Sequence, residues 1–410
     1  MALYVQKFGG SSVADAECMQ RVAQRVYDTK QEGHSVVVVL SAMGKTTDNL
    51  INLSKQVNPQ PDEREMDMLL ATGEQVSVSI LAMALHALGA EAVSMTGPQA
   101  GIATDSAHTK AKIMSIEPAR ILENLEKGRI VIVCGFQGRS PTDDIATLGR
   151  GGSDTTAVAL AAALKADRCQ IFTDVDGVYT ADPRIVKQAS KLTTIAYDEM
   201  LELASLGAKV LQSRSVEFAK KYGVELEVLT SFDRIPGTVV KEEVEDMENI
   251  VVRGVAVDKN QAKVTIQRVP DRPGVAATLF KELAAANVNV DMIVQNVSEH
   301  GHTDISFTVP RDEINRTRAT VDGLLESIGS AGATYDVDTA KVSIVGVGMR
   351  SHSGVAYKMF EALSAHKINV EMISTSEIKI SVVIRSAYAD QAMQVLHDAF
   401  DLDKINEQAS

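Results

Sequence analysis

The segment VTIQRVPDRPGVAATLFKELAAANVNVDMI (264–293) returns as VSIVGVGMRSHSGVAYKMFEALSAHKINVEMI (342–373), with two extra residues in the second loop. Gly274 aligns with Gly354, Phe280 with Phe360, Leu283 with Leu363, Asn289 with Asn369 and Met292 with Met372. Each copy reads as a strand, a loop with glycine, an amphipathic helix, an Asn-Val pair and a strand. An alternating strand follows, DISFTV in one copy and KISVVI in the other. Self-similarity of this kind marks a duplicated βαβ-type unit, in which each copy packs the same apolar helix face on its own strands.

The first 232 residues carry a different pattern. Buried-strand runs SVVVVL (35–40), EAVSM (91–95), RIVIVCGF (129–136), RCQIFTDV (168–175) and VELEVL (224–229) alternate with helical segments such as AECMQRVAQRVYDTKQEG and TTAVALAAALKA. Continuous apolar strands separated by helices predict an α/β fold, a largely parallel sheet covered by helices on both faces. The stretch 233–249 is acidic and contains Pro236-Gly237, which reads as a linker.

A chain of 410 residues exceeds one core, so two or three domains are expected. The net charge of −13 argues against a general nucleic-acid surface, which needs clustered Lys and Arg. Cys18, Cys134 and Cys169 form neither a CxxC pair nor a disulfide framework, as expected of a reducing compartment. No stretch reads as the ~20 apolar residues that span a bilayer, and no signal-peptide pattern is visible. The expectation is a cytoplasmic protein without membrane or nucleic-acid partners.

Chemistry-bearing residues gather where strands end. In KFGGSSV (7–13), glycines allow backbone N–H groups close to an anion, Lys7 adds a point charge, and Ser11 and Ser12 add hydroxyls. SAMGKTT ends like a phosphate-binding loop, but Val39 stands where its first glycine belongs. GRGGSD (149–154) fails as a dinucleotide fingerprint, with Asp154 in the place of its last Gly or Ala. It nevertheless sets Arg150 beside a glycine loop, suited to bidentate capture of a carboxylate. Glu74 follows Gly73 at the start of an apolar helix, where the charge suits either the helix terminus or a ligand's ammonium group. Glu74, Asp154 and Arg150 together would meet the needs of an amino acid. FTDVDGVYTADPR (172–184) sets Thr173, Asp174, Tyr179 and Arg184 after a buried strand, where a nucleotide's base, ribose and phosphates would find donors, and an Asp could position Mg²⁺ through water. Lys209 stands at a further helix start.

Taken together, KFGGSSV, SAMGKTTDNL, GRGGSDTTA, FTDVDGVYTADPR, GAKVLQSRS and the paired repeat resemble the aspartate kinases of the amino-acid-kinase superfamily, over essentially the whole chain. Ser11 departs from the family's usual Thr and keeps the hydroxyl. The resemblance implies an amino-acid-kinase-type sheet sandwiched by helices (1–232), then two ferredoxin-like βαββαβ ACT units. The first unit would span 264–340, and the second would combine 250–263 with 341–410. It implies transfer of the γ-phosphate of ATP, with Mg²⁺, to the side-chain carboxylate of L-aspartate. Lys7, Gly9, Gly10 and Asp154 would be catalytic, with Phe8 and Ser11 also on the phosphates. Thr47, Glu74, Arg150, Ser153 and Asp154 would bind aspartate. Thr173, Asp174, Tyr179, Asp182, Arg184 and Lys209 would line the ATP side.

For the repeats, the resemblance implies lysine or threonine as inhibitory effectors. They would contact Asp271, Arg272, Gly274, Ala276, Asn289, Val290 and Gln295 in copy one, and Ser353, Gly354, Val355, Asn369 and Val370 in copy two. It also implies a homo-oligomer joined through the ACT units, and a separately made short regulatory chain that would start near Met247 of this sequence, as in some family members. Two other readings stay open at this level: another acceptor on the same fold (glutamate, acetylglutamate, carbamate or a nucleoside monophosphate such as UMP), and a non-catalytic amino-acid sensor.

Overall fold

The computed structural model describes residues 2–206, 210–242, 251–296, 301–350 and 352–405. The chain divides into two units: Met1–Val178, Lys191–Ser205 and Lys209–Glu245 in the first, and Tyr179–Ser190, Leu206–Ala208 and Asp246–Ser410 in the second.

The first unit is built on an eight-stranded sheet in the order Thr194–Ala196, Thr238–Lys241, Leu226–Thr230, Arg168–Thr173, Leu3–Phe8, Ser35–Leu40, Ile130–Cys134, Ala92–Met95. All neighbours run parallel except Leu226–Thr230 against Thr238–Lys241. Val36–Leu40 and Ile130–Cys134 are wholly buried, which is why those strands read as unbroken apolar runs. The helices Ala16–Gln31 and Thr72–Ala87 close one core with Phe8, Val22, Leu81, Leu85, Ile132 and Phe172. The chain leaves Leu3–Phe8 for Ser35–Leu40 on one side and later places Arg168–Thr173 on the other. Strand order therefore reverses at the first strand, and ligands of such sheets bind outside the carboxyl ends at that point. A second sheet joins Ile113–Ile116, Ile102–Thr104, Gln137–Arg139 and Ile145–Thr147.

Two expectations are corrected here. Glu63–Leu70 and Thr72–Ala87 run end to end, and by length and composition alone the helical stretch Glu63–Ala87 is apolar enough to cross a membrane. Half of its most apolar window is buried inside the protein, together with Asp67 and Glu74, so it is a core element of this unit. The linker does not start at residue 233 either. Thr238–Lys241 is a strand of the large sheet, where Thr238 and Val240 are buried against Leu226–Val228. The stretch 243–249, including Met247, lies outside the described residues.

The second unit holds one antiparallel six-stranded sheet in the order Ile293–Gln295, His302–Pro310, Gly254–Pro270, Gly332–Val345, Lys379–Arg385, Met372–Thr375. The two repeats are fused. Gly254–Pro270 is a single strand of 17 residues that pairs Gly254–Asp258 with Lys341–Val345, and Lys263–Gln267 with Gly332–Asp336. The boundaries 263/264 and 340/341 thus fall inside continuous strands, with register irregularities between Asp258 and Lys263 where one repeat hands over to the other. The helices Val275–Ala285 and Val355–Ala365 occupy equivalent places and bury Leu279, Leu283, Met359 and Leu363. Gly274 and Gly354 sit before them at φ 99° and 93°, where open space surrounds each glycine, so backbone conformation rather than room is what requires glycine. Tyr179–Ser190 is tied into this second unit: the Thr180 hydroxyl meets His397 Nε2 at 2.9 Å, and the Thr180 carbonyl accepts from Val255 N–H at 2.7 Å.

Candidate active site

Four strand ends of the large sheet converge on one set of loops. Lys7 is the penultimate residue of its strand and only 8% exposed; its Nζ lies 2.6 Å from Asp154 Oδ1 in an ion pair. Asp154 and Ser153 lie in the first turn of the helix Gly152–Leu164, which follows Gly151 at φ 71°. That turn packs so closely on the end of Ile130–Cys134 that a side chain at Gly135 would come within 2.7 Å of Ser153 and 2.9 Å of the Leu40 carbonyl.

The glycines of the first loop bring a second strand end near. Gly9 N–H donates to the Phe172 carbonyl at 3.3 Å, and Gly44 N–H to the Gly10 carbonyl at 3.0 Å. A Cβ at Gly10 would sit 2.8 Å from the Ala42 carbonyl, so only glycine lets these loops meet. Ala42 in turn donates its N–H to Glu74 Oε1 at 3.0 Å. Glu74 is 3% exposed, and its Oε2 is buried with no hydrogen-bond partner. Burial pushes its carboxyl up to about 7, against the pull of the Ala42 N–H and the helix start. A buried carboxylate oxygen left unmatched is what a cationic ligand group would satisfy.

The other expected residues differ in burial and in the unit they belong to. Ser11 and Arg150 are exposed, and Thr47 is half-buried in the first turn of Thr46–Val57. Thr173 ends its strand with its hydroxyl donating to the exposed Asp174 at 3.0 Å. Phe8 requires a correction: its ring is wholly buried and stacks on Phe172 at 4.5 Å, so only its main chain can meet a ligand. Tyr179, Asp182 and Arg184 belong to the second unit, and the Arg184 guanidinium grips Asp182 at 2.9 and 2.7 Å. That pairing holds the Asp182 carboxyl below its ordinary range. Lys209 lies outside the described residues.

Of the expected effector contacts, Asp271, Arg272, Asn289, Gln295, Ser353 and Asn369 are exposed, while Ala276, Val290 and Val370 are half-buried. Val355 is corrected: its side chain belongs to the core, at 8% exposure, as does that of its counterpart Val275.

Sequence reasoning missed Ser231 and the Ala42 amide. Ser231 follows the strand Leu226–Thr230 and its hydroxyl bonds the buried Ser12 hydroxyl and the Thr173 carbonyl, joining the glycine loop to the nucleotide motif. Its position just after a strand end was the available signal. The Ala42 amide has no side-chain signal at all.

The chain matches the amino acid kinase family over residues 2–230 and the ACT domain over residues 267–323 and 342–400. An aspartate kinase of Stutzerimonas stutzeri (strain A1501) is 55% identical over 404 residues, covering 98% of each chain. The crystal structure of E. coli aspartokinase III in complex with aspartate and ADP (R-state) is 27% identical with a TM-score of 0.80, over 97% of this chain and 99% of that one. The E. coli aspartokinase III complex with lysine and aspartate (T-state) has the same identity and coverage and a TM-score of 0.76. With Lys7 of the Lys-Phe-Gly-Gly strand end paired to Asp154, Glu74 buried and unmatched, and the similarity running the full length of the chain, the conclusion is that this chain belongs to the amino acid kinase family, among the aspartate kinases that carry ACT domains.

Proposed function

We propose that the chain transfers the γ-phosphate of ATP to the side-chain carboxylate of L-aspartate, forming 4-phospho-L-aspartate and ADP. The observation that carries this is the buried Glu74 carboxylate with its unmatched Oε2, beside the loops that hold Lys7, Gly9, Gly10 and Asp154. Glu74 and Asp154 face the ammonium group of the amino acid, and Arg150 takes its α-carboxylate. The nucleophile is itself a carboxylate, ionised at neutral pH, so no general base is needed. The protein's task is to align two anions and offset their repulsion, which the Lys7 ammonium and the glycine N–H groups do.

Mg²⁺ keeps phosphate and water ligands and needs few protein donors; Asp174, exposed at its strand end, supplies an oxygen of the right kind. When bound, the ion neutralises charge on the phosphates. Lysine or threonine binds the ACT units and lowers the rate by favouring an inactive arrangement. Copies of the chain associate through the edge strands Ile293–Gln295 and Met372–Thr375 of the six-stranded sheet. The three free, buried cysteines suit a reducing, cytoplasmic setting.

The decisive experiment traps the acyl phosphate with hydroxylamine in the presence of ATP and Mg²⁺, offering aspartate, glutamate, acetylglutamate, carbamate and UMP in turn. Hydroxamate with aspartate alone, diminished by lysine or threonine, is the expected result. ADP release with a different acceptor would replace this reading, and amino-acid binding without turnover would make the chain a sensor.

A further inference from the structure

We propose that Asp67 is a positioning residue for the amino-acid pocket, fixing the helix that leads to Glu74 against the loop that carries Arg150. The inference rests on the reading that Glu74 and Arg150 bind the amino acid, and adds a group that touches neither substrate.

Asp67 lies in Glu63–Leu70, seven residues before Glu74, and is 0% exposed. Both carboxylate oxygens accept the Thr109 N–H, at 3.0 and 3.1 Å. Oδ2 also takes His108 Nδ1 at 2.7 Å, and Oδ1 takes the Thr147 hydroxyl. Thr147 and Thr109 both bear on the Arg150 loop. Thr147 ends the strand Ile145–Thr147, three residues before Arg150. Thr109 is held at φ 62°, a costly conformation for a β-branched residue, and its carbonyl lies so close to Gly149 that a Cβ there would come to 3.0 Å. Two further braces tie neighbouring stretches of the same unit: Gln137 Nε2 donates to the Ala71 carbonyl at 3.0 Å, and the Arg214 guanidinium donates to the Leu148 and Ala111 carbonyls at 2.8 Å each.

A fully buried carboxylate is a poor device for stability alone, because desolvation cancels most of what its hydrogen bonds return. It is a good device for geometry. One anion with several converging donors admits a single arrangement of the elements that supply them. Here those elements are the two walls of the amino-acid pocket, and no hydrogen bond or ion pair of Asp67 runs to the Lys7 loop or to the Thr173 strand end. Loosening Asp67 should therefore weaken aspartate binding and leave the ATP side alone.

The test uses the full-length enzyme, with initial rates measured while aspartate and ATP are varied separately. Asp67→Asn keeps the size but turns an NH₂ toward donors. It should raise the KM for aspartate about tenfold, with the KM for ATP within about twofold and kcat within about threefold. Thr147→Val, which removes one hydroxyl at constant shape, should raise the aspartate KM about threefold. Val26→Ala trims the wholly buried core under Ala16–Gln31 and controls for lost stability: it should lower the melting temperature and leave both KM values unchanged. Equal rises in both KM values for Asp67→Asn, or an aspartate KM within twofold of wild type, overturn the proposal. If Asp67→Asn does not fold, Thr147→Val decides by the same split. Arg150→Ala separates the two layers of inference. Should it leave aspartate saturation unchanged, the pocket reading itself fails; should it raise the aspartate KM while Asp67→Asn and Thr147→Val do not, only the role of Asp67 fails.

Discussion

A lysine ammonium paired with a carboxylate and largely withdrawn from water occurs in both units, in opposite surroundings. In the first unit, Lys7 and Asp154 lie 2.6 Å apart with side chains 10% and 11% exposed, among close-packed glycines and near the unmatched Glu74. In the second, the pairs are reciprocal. Lys263 of copy one meets Glu371 of copy two, and Lys341 of copy two meets Asp291 of copy one. Met292 and Met372 pack together in the same neighbourhood. Buried ion pairs are weak evidence for stability in either place, since desolvation offsets their attraction. The difference lies in what is left over. The first site keeps an orphan oxygen and donors that a ligand can recruit, while the second closes on itself and joins two repeats. One is organised for exchange of partners, the other for fixed registration.

The largest break in this comparison is Lys7→Ala. Without the ammonium, charge on the transferring phosphoryl group loses its nearest protein cation, and kcat should fall about a thousandfold with a much smaller change in the aspartate KM. Calorimetric binding of lysine to the second unit should persist in this variant. A near-wild-type kcat in a coupled ADP-release assay would remove Lys7 from the mechanism.

Next comes the pH response of Glu74. Its carboxyl titrates near 4.5 in an unfolded chain and is pushed up to about 7 by burial. Between those values the folded state holds the proton and the unfolded state does not, so stability falls as pH rises through that window. The loss is absent below about 4.5 and complete above about 7, and amounts to about 3 kcal/mol. Glu74→Gln should flatten the wild-type decline in denaturant midpoint between pH 5 and pH 8, measured without ligand. Aspartate binding moves the opposite way: an ionised Glu74 is what an ammonium group requires, so the wild-type aspartate KM should fall as pH rises past 7, and the Gln variant should lose that dependence. A Gln variant that tracks wild type in both assays would mean Glu74 is already charged in the free enzyme.

These residues were legible because they carry charge near glycine where a strand ends or a helix begins. Lys7, Glu74, Arg150 and Asp154 all stand there. Much of the sheet was legible too, since SVVVVL and IVIVC admit few alternatives once both faces are covered. What escaped has physical causes. Thr238–Lys241 is short, follows Pro236-Gly237 and precedes acidic residues, so its pairing with Leu226–Val228 is set by tertiary contact rather than local pattern. Gly254–Pro270 and Gly332–Val345 carry polar residues at their centres (Asp258 to Asn260 in one, Asp336 and Asp338 in the other) that read as breaks, yet each strand continues across both repeats. Asp67, in EREMDMLL, looks like one more solvated helix acid. Its burial comes from Thr109 and Thr147, 42 and 80 residues away.

The smallest effect sharpens the comparison from the side of the second unit. Its two reciprocal pairs are unequal. The Lys341 side chain is 6% exposed and Asp291 is 41% exposed, whereas Lys263 is 21% exposed and Glu371, at 12%, is also held by Arg385 at 2.9 Å. Asp291→Asn strands the Lys341 ammonium without its carboxylate. Lys341→Met instead frees an aspartate that water can solvate, and Lys263→Met leaves Glu371 on Arg385. The cost of losing one partner follows the burial of the partner that remains without compensation. Asp291→Asn should therefore shift the lysine or threonine concentration for half-inhibition most, about fivefold, Lys341→Met about twofold, and Lys263→Met least, all with an unchanged uninhibited rate. Inhibition curves at subsaturating aspartate rank the three directly. Equal shifts, or a change in the uninhibited rate, would show that the pairs do not register the repeats independently of the catalytic unit.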